Sequence, residues 1–375
     1  TFRQEGPYKD YRHPDWVHFT SDISQDLARR DFTINAMAYE PDQGLWDPFG
    51  GLQDILNKQI RCVGDPQQRF KEDALRILRG VRFVAQTGFA LDKAAAKAIK
   101  ENSHLLKNIS VERIREEFNK LLLAPWLSQA VSYLEKLNLW PYLVPDIIPC
   151  IGFNQHSSHH YLDVYHHIMV TVYNTPPDLV LRLAALFHDI GKPATFKLDE
   201  KGKGHFYGHS EVGALIAKNN MKRLRYANNI QKQVIFLIKH HMLHLSDLSD
   251  KTLKLFISQM PEPKKEYLDK LLTLQEADLL ASANKDASLQ EHQQFKERCY
   301  RILNSGDPLT LQDLAINGHD LIQLGIEPKE RGPLLHKLLY QVLDNPEMNK
   351  KELLLKYIKE SQMSRSDTGK TNERN

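Results

Sequence analysis

Residues 70–83 read FKEDALRILRGVRF and place Asp73, Arg76, Arg79 and Arg82 at a strict step of three, with Leu75, Ile77, Leu78, Val81 and Phe83 in the gaps. On an α-helix each such step turns about 300° and climbs about 4.5 Å, so Asp73 and Arg76 are neighbours and the whole stripe is about 13 Å long. That is the length of a nucleotide rather than of a base. Aspartate only accepts hydrogen bonds and arginine only donates them. Cytosine and adenine both present an exocyclic amino donor beside a ring-nitrogen acceptor, whereas uracil and guanine present a carbonyl beside a ring N–H. An Asp73–Arg76 pair therefore suits C and A and rejects U and G. Arg79 and Arg82 are then left for phosphates, which guanidinium forks match well. The plain alternative is an exposed helix face laced with i,i+3 ion pairs, and the stripe alone does not decide between the two.

The surrounding sequence narrows the choice. At 375 residues the chain exceeds one ordinary domain and predicts two or three. A formal net charge of +3 is too small to argue for nucleic acid by itself; local clusters matter more. Cys62, Cys150 and Cys299 are far apart and form no CxxC or disulfide framework, which fits a reducing, cytoplasmic setting. No apolar run approaches the roughly 20 residues of a membrane span, so no membrane partner is expected. The opening TFRQEG reads as a strand end and a loop, and a longer parent enzyme is expected from it.

The expected fold is mostly α and multidomain. Residues 1–64 read as mixed α/β, with DWVHFT a strand and DPFGGLQD a Pro/Gly turn. From about residue 65 the apolar period becomes helical. A helical neck and body spans 65–153, where DKAAAKAIKENSHLLKN and SVERIREEFNKLLL are helices and Ser110 is a candidate N-cap ahead of Glu112. A histidine-rich helical region spans 154–285 and a further helical segment 286–362, while 363–375 is polar and expected to be disordered.

DLARRDFTINAMAY and LWDPFGGLQDI precede the stripe, and with them the chain resembles bacterial tRNA nucleotidyltransferases that add the CCA end, in the poly(A) polymerase-like class II group. RRDFTINAMA is similar to that family's ribose-binding motif and DPFGGLQD to its head–neck hinge. EDALR resembles its protein template for base selection, SVERIREEFNKLL its neck-stabilising helix, and EGPYKDYRHPDWVHF its flexible loop. The resemblance implies nucleotide contacts at Arg30, Asp73, Arg76, Arg79 and Arg82, with Asp31 and Asn35 beside the incoming nucleotide. It also implies CTP and ATP as substrates, tRNA as the polymer partner and Mg²⁺ for transfer. Two such ions need closely placed carboxylates, which the family supplies from a DxD pair on a strand. No DxD strand occurs here. Glu40 and Asp42 flank Pro41 in what reads as a turn, so no residue is assigned to catalysis of transfer.

Eleven of the seventeen histidines fall between His156 and His244. His188 and Asp189 follow an apolar helix and precede a Gly–Lys–Pro exit, which puts an imidazole and a carboxylate at a helix end beside a buried wall. That donor set suits a divalent ion. In the order H…HD…H…HH…D, the set resembles an all-helical HD-superfamily metallophosphohydrolase domain. By that pattern His167, His188, Asp189 and Asp278 hold one metal. His209, His240 and His241 hold a second, bridged by Asp189, and Lys192 meets a substrate phosphate. The C-terminal segment resembles the tail of HD-containing relatives, with turns at Asn317–Gly318 and Gly325 and a PKERGP stretch in place of a Gly-rich turn. It is expected to hold tRNA by shape and phosphate contacts. The alternative function is an HD phosphatase or phosphodiesterase with an RNA-binding module and no nucleotidyl transfer.

Overall fold

A computed structural model of the chain describes residues 2–6, 15–156, 162–243, 248–283 and 285–369. It falls into two units, Thr1–Met242 with Thr273–Lys285, and Leu243–Leu272 with Asp286–Asn375. The fold is mostly helical, and every strand among the described residues belongs to a two-stranded ladder.

The first unit opens with Phe2–Glu5 paired antiparallel to Val17–Thr20, Phe2 facing Thr20. Residues 7–14, the middle of the stretch read as a flexible loop, lie outside the described residues. Asp22 caps the Ile23–Ala28 helix by accepting from the Ser24 N–H at 2.8 Å. Leu27, Ala36 and Val63 form a small core beneath it. In DPFGG the backbone turns left-handed at Gly50, and the Asp47 carboxylate takes the Gly51 and Leu52 N–H groups at 2.7 and 2.9 Å. The hinge stretch is therefore both a turn and the start of the Gly51–Leu56 helix.

The arginine stripe does not lie on one continuous helix. Pro66–Glu72 ends at Asp73, whose backbone is extended (φ −133°, ψ 103°), and a second helix runs from Leu75 to Thr87. The cause is the aspartate itself. Its Oδ1 accepts from the Leu75 N–H at 3.0 Å, a local bond that competes with helix continuation. Beyond the break, Ile77, Leu78, Val81 and Val84 are fully or almost fully buried, each contributing on the order of 1.5–3 kcal/mol to the core. This helix packs against Val111–Leu122 and Leu127–Lys136. Ser110 does stand at the N-cap position of Val111–Leu122, but its side chain makes no capping bond.

In the histidine-rich part, Asp163 and Asp178 cap the Val164–Asn174 and Leu179–Phe187 helices. His209–Arg223 and Asn228–His240 follow as a packed pair. The region is not purely helical. Lys197–Leu198 and Gly204–His205 form a short antiparallel hairpin, because Asp199 gathers the turn by accepting from the Lys201 and Lys203 N–H groups, both at 2.9 Å.

The second unit is helical. Thr310 and Asn317 each close a capping box, and Gly325 adopts φ +74° after Gly318–Gln323. PKERGP is not a turn: it forms the first turns of Pro328–Asp344, with Pro328 at the start, where its missing N–H is harmless. The last helix, Lys351–Gly369, runs through part of the stretch read as disordered, and residues 370–375 lie outside the described ones. No helix of the described residues is long and apolar enough to cross a membrane.

The tightest approach around the histidine-rich helices is at Gly191. A Cβ there would meet the His209 carbonyl oxygen at 2.3 Å and the Gly213 nitrogen at 2.7 Å. Gly191→Ala is expected to destabilise the protein by about 1–3 kcal/mol, the usual cost of overpacking, and to lower its thermal midpoint. An unchanged melting curve would contradict this close packing.

Candidate nucleotide cleft and metal centre

A cleft of about 690 Å³ opens beside the helix break. All seven residues singled out from the sequence line it: Arg30, Asp31, Asn35, Asp73, Arg76, Arg79 and Arg82. Arg29, Leu75, Phe83 and Arg113 complete the wall. Sequence reasoning missed Arg113. It lies in SVERIREEF, so the neck motif was its only signal, and nothing in the spacing says that it faces Asp73, forty positions earlier.

The pairings differ from those of a simple stripe. The Asp73 carboxylate pairs with Arg113, Nη2 to Oδ2 at 3.1 Å, while Arg76 reaches Asp73 through its backbone N–H, which donates to the Asp73 carbonyl at 3.0 Å. Arg76 is buried and donates to Glu72 at 2.7 Å and to the carbonyls of Arg69 and Arg29 at 3.1 and 2.9 Å. Glu72, the last residue of its helix, is thus an anchor for Arg69 and Arg76. Arg79 donates from Nε to Asp31 at 2.7 Å. Arg82 sits against Glu117 at 2.6 Å, over the Phe83 ring, and is buried. Arg79 and Arg82 each already meet a carboxylate, and Arg82 does so in a buried position, where a cation cannot go unanswered. Arg30 reaches Asp26, and Asn35 lies within 3.4 Å of Asp31.

The second constellation lies at the ends of the histidine-rich helices. Donor atoms of His167, His188 and Asp278 lie within 4.8 Å of one another, and so do those of Asp189, His209 and His241. Asp189 joins the two groups. Its Oδ2 is 3.3 Å from both His167 Nε2 and His188 Nε2, and its Oδ1 is 3.4 Å from His209 Nε2 and 3.7 Å from His241 Nε2. The rings of His188, His209 and His241 each direct Nδ1 to the carbonyl three residues earlier, at 2.7, 2.8 and 2.7 Å. That bond makes Nδ1 the N–H donor and turns Nε2 inward, where the neutral ring offers its lone pair. The Nε2 atoms of His167 and His188 then approach to 3.5 Å, and those of His209 and His241 to 3.4 Å. Asp189 Oδ1 is buried and receives no hydrogen bond. Imidazole nitrogens converging on a carboxylate oxygen without a hydrogen bond, with a proton held among them in the absence of metal, are a donor set for cations, so these residues fit divalent metal ions.

His240 does not join them. It lies about 100° around the helix from His241, and its ring packs on Phe236 at 4.6 Å. His244 lies outside the described residues. Lys192 is buried, with Nζ 2.6 Å from Asp189 and 2.8 Å from Gln155, so it is turned toward the shared carboxylate.

Three family models match along the chain: the poly(A) polymerase head domain over residues 1–61, a probable RNA- and SrmB-binding site of polymerase A over 88–151, and an HD domain over 159–283. The chain belongs to the poly(A) polymerase-like nucleotidyltransferase family. Within it, a CCA-adding enzyme of Anoxybacillus flavithermus is 50% identical over 143 residues, which is 38% of this chain and 36% of that protein. An A-adding tRNA nucleotidyltransferase of Deinococcus radiodurans is 33% identical over 285 residues, 73% of this chain and 64% of that protein. The Bacillus stearothermophilus CCA-adding enzyme, solved in complex with CTP, superposes with a TM-score of 0.66 at 25% identity, over 98% of this chain and 79% of that one. The chain thus spans about a third to two-thirds of the length of these curated relatives. Nucleotidyltransferase and HD domains use divalent metals, and in this chain the HD domain holds the only two metal-competent groups among the described residues. In the head, Glu40 and Asp42 are exposed at a hairpin between Ala38–Glu40 and Gly44–Trp46, and they form no such group.

Charge reports the same preference in the HD domain. Burial opposes the protonated form of His188, yet the Asp189 and Asp278 carboxylates raise its pKa to about 10. A group raised in the folded state stabilises fully below its unfolded value, about 6.5, and that stabilisation is lost as pH rises through the folded value. Urea unfolding of the metal-free chain should therefore show stability falling as pH rises from about 7 to 10. Added Mn²⁺ should suppress the fall by taking the place of the proton. A flat metal-free profile would contradict the assignment.

Proposed function

We propose that the chain provides nucleotide selection and RNA holding for a CCA-adding tRNA nucleotidyltransferase, with CTP and ATP as substrates and tRNA as acceptor. The observation that carries this is the convergence of all the nucleotide contacts implied by the family motifs on one arginine-lined cleft. In it Asp73 supplies the acceptor for the amino group shared by C and A. Its carboxylate is oriented from both sides, by the Leu75 N–H and by Arg113. Arg76, fixed by Glu72 and two carbonyls, stands one helical turn away as donor to the ring nitrogen. Asp31, Asn35 and Arg30 form the opposite wall, beside the ribose. The tail unit is proposed to hold the tRNA by its backbone.

Transfer itself calls for Mg²⁺ held by paired carboxylates. The two acids of the cleft, Asp31 and Asp73, are committed to Arg79 and Arg113. These residues do not fit the ions, and no transfer step is assigned to them.

A second activity is favoured by the completeness of the HD donor set. We propose metal-dependent phosphatase or phosphodiesterase chemistry there, in which a divalent metal makes water a nucleophile at neutral pH. His167, His188, Asp189 and Asp278 would hold one ion, and His209 and His241, with Asp189 shared, a second. Lys192 holds the shared carboxylate in its ionised form.

Calorimetric titration should show CTP and ATP binding more tightly than UTP and GTP by about ten- to a hundredfold, as expected when a wrong base leaves a buried polar group unpaired. Asp73→Ala should erase that difference. Arg113→Gln should reduce it, and Arg113→Lys should restore part of it. Equal affinity for all four triphosphates in the parent chain would refute the template reading. Incubation with tRNA lacking its 3′ end and labelled CTP tests transfer.

With Mn²⁺ present, hydrolysis of a chromogenic phosphodiester should drop by more than about a hundredfold in Asp189→Ala, a loss larger than that seen for removing an outer partner of a metal ligand. Hydrolysis unaffected by Asp189→Ala would remove the HD activity while leaving the cleft reading intact.

A further inference from the structure

The hairpin that interrupts the HD helices ends in an aromatic feature that neither the metal chemistry nor the fold requires. Tyr207 is 77% exposed. One face of its ring lies parallel to the His205 imidazole, with centroids 5.4 Å apart and planes 7° apart. His205 is itself fixed, with Nε2 2.8 Å from Asp199 Oδ2, and Asp199 Oδ1 organises the hairpin turn. The Tyr207 hydroxyl lies 3.3 Å from His205 Nδ1. A large aromatic ring is thus held in a set orientation with its second face toward solvent.

This ring is tied to the metal centre by short links. Gly208 turns left-handed (φ +76°), and the next residue is His209, the first of its helix. Phe206 accepts the His209 Nδ1–H through its carbonyl, and its ring lies 5.4 Å from Lys192 Nζ. On the other side, Gly204 donates its N–H to the His156 carbonyl at 2.9 Å, and a Cβ there would lie 2.3 Å from the Gln155 carbonyl. Gln155 in turn holds Lys192. The hairpin therefore seats on the residues that position the shared carboxylate. It also carries the exposed lysines Lys197, Lys201 and Lys203 against Asp199 and Glu200, and Asp199 is bound to His205.

We propose that Tyr207, backed by His205, is a stacking platform for the unpaired terminal nucleobase of a single-stranded RNA 3′ end, whose terminal phosphate then faces the HD metal centre. The inference rests on the HD reading above and names its substrate class. Every nucleobase has a π-face, so such a platform selects a base without selecting its sequence. Basic residues along the same hairpin favour the polyanionic strand over a free nucleotide.

The test uses the full chain, metal-free, with excess CTP to fill the neck cleft. A short single-stranded RNA carrying 2-aminopurine at its 3′ end and a terminal phosphate is titrated, and quenching of the probe reports stacking. Tyr207→Ala should weaken binding about five- to a hundredfold, His205→Ala less, and Tyr207→Phe no more than about twofold. The same RNA with an abasic 3′ end should bind the parent chain as weakly as the intact RNA binds Tyr207→Ala. The mononucleotide should bind more weakly than the strand; equal affinity would overturn the strand assignment. Binding insensitive to Tyr207→Ala, or equal for the abasic probe, would overturn the platform. The phosphodiester assay with Mn²⁺ separates the two readings. Quenching without hydrolysis sinks the HD activity and spares the platform, whereas hydrolysis without quenching does the reverse.

Discussion

Repulsion among like charges governs the first unit. Six guanidinium groups face one cleft, and unanswered they would push the head and neck apart. Each instead meets an acid: Arg29 and Arg30 share Asp26, Arg76 takes Glu72, Arg79 takes Asp31, Arg82 takes Glu117 and Arg113 takes Asp73. The Arg82–Glu117 pair is buried on both sides, where removing one partner leaves a stranded charge and costs on the order of 3–5 kcal/mol. The pairs also cross elements, so head, broken helix and neck helix are set by the same charges that shape the cleft. A polyanionic ligand entering it competes for cations that are already placed.

The HD domain presents the inverse problem. There the surplus is of lone pairs and carboxylate oxygens. Lys192 answers one oxygen of Asp189, and the protonated form of His188 answers more. Both centres pair an aspartate with a cation from another turn or element: Asp73 with Arg113 and Asp189 with the buried Lys192. Burial works against the charged form of Asp189, and Lys192, followed by His188, holds its carboxyl far below the usual range.

Much of this was legible in the sequence, for identifiable reasons. The step of three from Asp73 to Arg82 located one wall of the cleft, and the family motifs located the other at Arg30, Asp31 and Asn35. The order of histidines and aspartates located both metal triads except for His240, which the helical phase of its neighbour excludes. What the sequence concealed was partnership. Spacing along a helix pairs the side chains of Asp73 and Arg76 only if the helix continues, and the short side chain of Asp73 stops it, so the two stay backbone neighbours whose side chains take other partners. Arg113 was hidden because its contact is long-range. The hairpin at 197–205 was hidden because its strands are only two residues long and are held by the Asp199 side chain rather than by an alternating apolar pattern. Apolar periodicity reports burial, and these features are organised by polar bonds.

The Val111–Leu122 helix shows two faces. Arg113 and Glu117 turn toward Asp73 and Arg82. Glu112, Arg115 and Asn119 bind the turn after His209–Arg223, through Arg225, the Arg225 carbonyl and the Tyr226 hydroxyl. That turn is the far end of a helical pair whose other end carries His209 and His241. One strut therefore sets the span between the arginine-lined cleft, where a base would be read, and the histidine cluster, where a phosphate would be cut. With both stations bolted to the same beam, an RNA terminus that used both would have to do the travelling itself, sliding or lifting off between them.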